Sequence, residues 1–261
     1  MPEPDRPTPT YPDLAGKVAL ITGGSKGIGA ETARRLAANG VRVAVVARSQ
    51  PGIDEIVGEL TDSGAEAIGI SGDAGDPEDI EQMRTTTEEK LGPIDILLPF
   101  AGGFGAFTPI EEVSVEEWRT VIEDNLTSTF LAVRAVIPSM IERRSGVIVT
   151  MASNGGRLLD KLLTAPYAAA KAGVVQFTRH IALELGAHNI RANTIAPATV
   201  RSERIDRIMD EQAQAKVAEM SPLGRMGTPA DCALATLFLV SDSASWLTGV
   251  TLDIAGGRIM L

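Results

Sequence analysis

Val18-Ala19-Leu20-Ile21-Thr22-Gly23-Gly24-Ser25-Lys26-Gly27-Ile28-Gly29 decides how the chain is read. Val18 to Ile21 is a short apolar run, the pattern of a strand buried on both faces of a parallel sheet. Glu31 to Asn39 then reads as helix, closed by Gly40, and Val41 to Val46 restarts a buried strand. A strand that enters a helix through so many glycines offers free backbone N–H groups and a helix N-terminus to an anion, as in sites for a dinucleotide pyrophosphate. The glycines at 23, 27 and 29 are spaced G-x-x-x-G-x-G rather than the commoner G-x-G-x-x-G. A glycine-rich structural turn would look the same, so the rest of the chain has to decide.

Outward from this unit, strands and helices alternate without repeats, low-complexity tracts or a linker. Helix is expected over Asp54–Asp62, strand over Ala65–Ser71, helix to about Leu91 from an Asp76 cap with Pro77 at the first position, and strand over Ile94–Phe100. The loop Ala101 to Phe107 follows. Ser114-Val115-Glu116-Glu117 is a capping box opening one long helix to about Arg143. Strand over Gly146–Met151, helix over about Thr164–Gly186 and strand over Ile190–Ala196 come next. Residues 199–222 carry Ile205, Ile208, Met209, Val217 and Met220 at roughly helical spacing, predicting one or two helices that lie on the body as a lid. A last helix from Thr228 and a strand over Thr251–Ile254 complete a single α/β domain. It is a doubly wound, parallel, seven-stranded Rossmann-type sheet with helices on both faces.

Composition narrows the function. With 261 residues, 44% of them apolar, one large domain can bury its core. A formal charge of −10 and no basic stripe argue against a nucleic-acid partner. No run approaches the roughly 20 apolar residues of a membrane span. Met1 to Asp13, with five prolines and no apolar core, reads as a loose arm rather than a signal peptide. Cys232 is the single cysteine, in an apolar helical run, so a reducing, cytoplasmic setting fits. The two histidines, His180 and His188, read as surface residues, and no metal site is expected.

Tyr167-Ala168-Ala169-Ala170-Lys171 places a phenol and an ammonium on one helix face. A free phenol, with its pKa near 10, is a poor acid or base at neutrality; a nearby cation favours the phenolate and brings it closer to useful range. Ser153, at the end of the fifth strand, lies one loop upstream. Asn125 is a polar residue among apolar ones in a long helix, where a solvent-facing position or a local kink is the ordinary explanation.

Taken together these residues resemble the classical short-chain dehydrogenase/reductases from about Leu14 to Gly257. The resemblance rests on Thr22-Gly23-x-x-x-Gly27-Ile28-Gly29, Asp73, Ala101-Gly102, Asn125, Ser153, Tyr167-x-x-x-Lys171, Ile190-Arg191-x-Asn193-x-Ile195-x-Pro197, and Thr248-Gly249-x-x-x-x-Asp253-x-x-Gly256-Gly257. It implies a catalytic set of Asn125, Ser153, Tyr167 and Lys171. Tyr167 would exchange a proton with the substrate oxygen, Lys171 would lower its pKa and hold the nicotinamide ribose, Ser153 would orient the carbonyl or alcohol, and Asn125 would serve a proton path. The cofactor set it implies is Gly23, Ser25, Lys26, Gly27, Ile28, Gly29, Arg48, Asp73, Ala101, Gly102, Tyr167, Lys171 and Pro197, with Asp73 at the adenine.

Ala47 stands where an acidic residue would select NAD(H), and Arg48 follows, so NADP(H) is expected, NAD(H) being the alternative. The substrate is expected to be a small molecule bearing a carbonyl or a secondary alcohol. Phe104, Phe107, Leu158, Leu159, Leu162 and Leu163, in the two loops beside the expected site, suggest that its pocket is apolar. The rival reading is a dinucleotide-binding sensor or scaffold with little catalysis. Apolar residues on the two long helices, Trp118, Leu126, Phe130, Val133, Val174, Phe177 and Ile181, add the expectation of a homodimer or homotetramer. Three departures from the family pattern stand out: Pro99-Phe100 where two asparagines are usual, Pro197-Ala198 for Pro-Gly, and one extra residue between Ser153 and Tyr167. Pro99 has no N–H, so strand pairing should stop there.

Overall fold

In the computed structural model, which describes residues 7–105, 107–158 and 163–260, seven parallel strands lie in the order β3-β2-β1-β4-β5-β6-β7. They are β1 (Val18–Thr22), β2 (Arg42–Ala47), β3 (Ala67–Ser71), β4 (Ile96–Pro99), β5 (Gly146–Met151), β6 (Ile190–Pro197) and β7 (Thr251–Ile254). The order reverses between β1 and β4, so a crevice opens at their carboxyl ends, the place where open α/β sheets bind ligands.

Helices cover both faces. α1 (Gly27–Ala37), α2 (Gln50–Asp62) and α9 (Pro229–Val240) pack on one. On the other lie α3 (Pro77–Leu91), α4 (Val115–Ile122), α5 (Ser128–Arg143) and α6 (Ala165–Leu185). Alternation along the strands feeds the two cores separately: Ala19 and Ile21 of β1, with Ile96 and Leu98 of β4, point to the first, while Val18, Leu20 and Leu97 point to the second.

Several expected boundaries move. α1 begins four residues early, at Gly27 itself, and α2 at Gln50. β4 is shorter than Ile94–Phe100. The long helix expected from Ser114 to Arg143 is two helices joined by a π-helical turn, Glu123–Thr127. The apolar periodicity continues through this break, which is why the pattern alone did not show it. From Thr8 onward the segment expected as a loose arm is tied to the body. Thr8 Oγ1 accepts from Arg35, the Tyr11 N–H donates to Asn39 Oδ1 at 2.7 Å, and Asn39 Nδ2 donates to Pro9 O at 3.1 Å. Residues 1–6, and Leu159 and Leu162 of the expected apolar loop, lie outside the described residues.

Pro99 behaves as its chemistry dictates, but on one side only. Pairing with β1 continues to Pro99 opposite Thr22, whereas pairing with β5 ends at Leu97 opposite Ile148. The Phe100 N–H donates to Thr22 O (3.2 Å) and to Leu98 O (2.9 Å). Strand N–H groups alternate between neighbours, so the preceding nitrogen, that of Pro99, faces β5 and has no hydrogen to give. Phe100 is buried in the core that holds α1 and α9.

Residues 199–222 form two short helices, α7 (Glu203–Ile208) and α8 (Glu211–Glu219), capped by Ser202 and Asp210. Ile205, Val217 and Met226 form a small apolar cluster of their own there, with Phe104, Met209 and Ala218 packed against it.

Candidate functional site

The glycine turn fits a pyrophosphate. Gly27 opens α1 with φ +54°, a conformation that L side chains rarely adopt, and a Cβ there would meet open space. Lys26 caps the helix without a side-chain hydrogen bond, and no acidic residue sits in the first turn. The first N–H groups of α1 therefore lack an internal acceptor and face an uncrowded space, as an anion site requires. A Cβ on Gly29 would lie 2.2 Å from Gly23 O, so only glycine lets the turn fold back onto the helix. Ser25 and Lys26 run beside the start of α2, where a Cβ on Gly52 would be 3.4 Å from Ser25 Cβ and 3.7 Å from Lys26 Cε.

Arg48 ends the β2 region. Its Nη1 is 4.0 Å from Asp73 Oδ2, in an exposed pair of little intrinsic strength. Asp73 Oδ1 accepts from the Gly75 N–H at 2.8 Å, holding the turn after β3. At the end of β4, the Ala101 N–H donates to Thr22 Oγ1 (3.2 Å), so of its backbone groups only the carbonyl remains for a ligand. Thr22, fully buried, is thus a support that sequence reading passed over. Pro197 ends β6, and the next N–H, of Ala198, is already bonded to Ile254 O.

Asn125 lies in the π-helical turn and is fully buried, contrary to a solvent-facing position. Its Oδ1 accepts from the Gly103 N–H at 3.0 Å, while its Nδ2 donates to Gly103 O and Val121 O, both at 3.0 Å. The side chain is a clamp on the loop after β4, with both its oxygen and its amide nitrogen engaged there. Ser128 Oγ donates to Asp124 O (2.8 Å) and Thr129 Oγ1 to Asn125 O (3.1 Å). Side chains thus satisfy carbonyls that a π turn disturbs. The polar trio Asn125, Ser128 and Thr129 was the available signal for the break.

Ser153 is buried two residues beyond β5, whose end is fixed by the Ala152 N–H donating to Ile195 O. Its Oγ accepts from the Gly155 N–H at 3.1 Å. A Cβ on Gly156 would lie 2.6 Å from Ala172 N and from Lys171 C, so this turn lies directly against α6 at Lys171. Arg157 then pairs with Asp253 of β7, Nε to Oδ1 2.9 Å.

Tyr167 and Lys171 lie on the buried face of α6. Lys171 Nζ stands 5.7 Å from the centre of the Tyr167 ring and donates to Met151 O at 2.9 Å. Burial lowers the Lys171 pKa to about 8. The folded pKa then lies below the unfolded value of 10.5, and the unfolded chain holds more protons between the two. The penalty for burying this charge is present at neutrality and fades as pH rises from about 8 to 10.5. Lys171→Met should therefore gain stability relative to the parent near neutrality and lose that advantage at high pH. Melting curves at both ends of the window check this; a pH-independent difference would contradict it.

Among the described residues no cluster of His, Cys, Asp or Glu is placed to hold a metal, and no helix is long and apolar enough to cross a membrane. Cys232 is buried and its thiol pKa is pushed up, chiefly by desolvation, so it is unreactive.

Residues 23–258 match the family model described as enoyl-(acyl carrier protein) reductase. The chain is 37% identical over 249 residues to the 3-oxoacyl-[acyl-carrier-protein] reductase FabG of Vibrio cholerae, covering 95% of this chain and all of that one. It is 34% identical over 252 residues to 3beta-hydroxysteroid dehydrogenase 1 of Eggerthella lenta, covering 96% of each. Among solved structures, a 3-oxoacyl-[acyl-carrier protein] reductase of Brucella melitensis superposes with a TM-score of 0.91 at 30% identity, covering 96% of this chain and 94% of that one. A second structure of such a reductase from that organism, with NAD bound, gives 0.89 at the same identity and coverage. With its parallel sheet, glycine turn and Tyr–Lys pair, the chain belongs to the short-chain dehydrogenase/reductase family of oxidoreductases.

Proposed function

We propose that this protein interconverts a ketone and a secondary alcohol, with NADP(H) as partner and Tyr167 as the general acid and base. The observation that carries this is the buried Tyr167–Lys171 pair on α6, with the Ser153 turn packed against it. The relatives support carbonyl chemistry, since a 3-oxoacyl reductase and a hydroxysteroid dehydrogenase both work at that functional group. Their substrates differ widely at similar identity, so the family alone does not name this one.

A bound nicotinamide would supply or accept the hydride. Tyr167 gives its proton to the oxygen as the carbonyl is reduced and takes it back in the reverse direction. The Lys171 ammonium, held by Met151 O, favours the phenolate and would hold the nicotinamide ribose. Ser153 orients the oxygen by a hydrogen bond. The open N-terminus of α1 would hold the pyrophosphate and Asp73 would contact the adenine, while Asn125 keeps the floor of the site in place through Gly103.

Arg48 and Lys26, with Ala47 in place of a carboxylate, support a 2′-phosphate on the adenosine ribose. Ala47→Asp combined with Arg48→Ala should move the ratio of catalytic efficiencies toward NAD by on the order of tenfold or more, the scale of one lost charge-assisted contact. Equal efficiency of the parent with both cofactors would sink the assignment. The sensor reading is separated from the enzyme by one assay, NADPH oxidation over a panel of ketones.

For assembly, the apolar helix residues divide in two. Val133, Val174 and Ile181 are core, whereas Trp118 (42% exposed) and Phe130 (43%) remain on the surface, and Phe130 meets Phe177 edge-on at 6.3 Å. These exposed aromatics support a homodimer or homotetramer. Light scattering at micromolar concentration should give a multiple of the chain mass; a monomer would contradict it.

A further inference from the structure

Phe104 stands between the phenol and the lid. Its ring meets Tyr167 edge-on, with centroids 6.0 Å apart and planes at 68°. It also packs against the cluster of Ile205, Val217 and Met226, beside Met209. The chain is anchored just before it. The preceding residue, Gly103, has both its N–H and its carbonyl bonded to the side chain of Asn125, which is itself fully buried. Phe104 is therefore an aromatic wall with the reacting hydroxyl group's ring on one side and the apolar lid on the other.

A substrate whose oxygen reaches Tyr167 beneath the lid must set its neighbouring substituent against this wall. An aromatic ring prefers another ring or a flat apolar surface, offset or edge-on, and gains about 0.5–1.5 kcal/mol beyond simple burial, several-fold to about tenfold in affinity. A short chain or a charged group gains little there and loses hydration. Met209 and Met226 supply adaptable surface on the lid side, able to close over substituents of different outline.

We infer that Phe104 is the specificity-determining residue of this site, selecting ketones that carry a flat or cyclic apolar group next to the carbonyl. The inference rests on the reading of the protein as a carbonyl reductase. It goes further by naming the substituent and the side chain that recognises it.

The test compares two methyl ketones, acetophenone and 2-butanone, in the parent, Phe104→Ala and Phe104→Trp. The parent should favour acetophenone. In Phe104→Ala the ratio of kcat/KM for the two should fall by on the order of tenfold, mainly through the KM for acetophenone, and Phe104→Trp should restore much of it. A ratio unchanged in Phe104→Ala, or equal losses with both ketones, would overturn the inference. If the parent turns over no ketone of a graded panel and none of the matching alcohols, the carbonyl-reductase reading fails, and a second measurement still decides the role of Phe104. Calorimetric binding of 1-phenylethanol to the NADP-loaded protein should be weaker in Phe104→Ala than in the parent, and equal binding, or none in the parent, would overturn it.

Discussion

Replacing Tyr167 by Phe is expected to lower turnover by at least ~100-fold, the usual loss when a general acid is removed, and to leave folding and cofactor binding in place. The substitution keeps the aromatic ring. The ring fills the same volume on the buried face of α6, so the contacts with Phe104 and with the Lys171 ammonium survive. What disappears is the transferable proton. No second acid of suitable reach is offered by Ser153, whose pKa as an alcohol is far too high, or by Lys171, whose Nζ is directed to Met151 O. The loss should thus fall on kcat, with the dissociation constant for NADPH held near its parent value. A variant that turns over a good substrate at near-normal rate would remove Tyr167 from the mechanism.

Phe100→Ala is the largest expected effect on stability, ~3–5 kcal/mol, the range for emptying a buried aromatic site. Phe100 is 8% exposed and belongs to the core beneath α1 and α9. Its N–H and the flanking Pro99 already fix the end of β4, so truncation removes packing without freeing a hydrogen bond. The side chain points to the same core as Ile96 and Leu98. Substrate preference should therefore stay as it is in any variant that remains folded. Chemical denaturation measures the first effect and a ketone panel the second; unchanged stability with a new substrate profile would place Phe100 in the pocket instead.

The order of elements was legible because each buried strand is a short apolar run and each helix carries caps or turn residues at its ends. Asp76, Ser114 and Thr228 all accept the backbone bonds that their positions imply. The π-helical turn was partly legible: Asn125 admitted a local kink, but apolar spacing on either side survives a one-residue bulge, and Ser128 and Thr129 acquire meaning only once their carbonyl partners are seen. Pro99 was half legible. Its missing N–H was plain, but which neighbouring strand would feel the loss depends on strand order and parity. At the site, Tyr167 and Lys171 were marked by helical spacing, whereas the turn that carries Ser153 is seated on α6 through Gly156, whose close approach to the backbone of Lys171 and Ala172 is a matter of three dimensions. The support given by Thr22 to Ala101 joins residues 79 apart in sequence, and no local pattern announces it.

The central claim is that the Tyr167–Lys171 pair performs hydride-coupled proton exchange on a carbonyl. The most direct measurement follows NADPH absorbance with purified parent protein across methyl ketones of graded size, alongside NADPH binding by fluorescence. The account predicts ketone-dependent oxidation of NADPH, fastest with bulky apolar substituents and lost in Tyr167→Phe. Tight NADPH binding with no turnover of any ketone, and none of the matching alcohols with NADP in the reverse direction, would contradict it and leave a dinucleotide-binding protein without this chemistry.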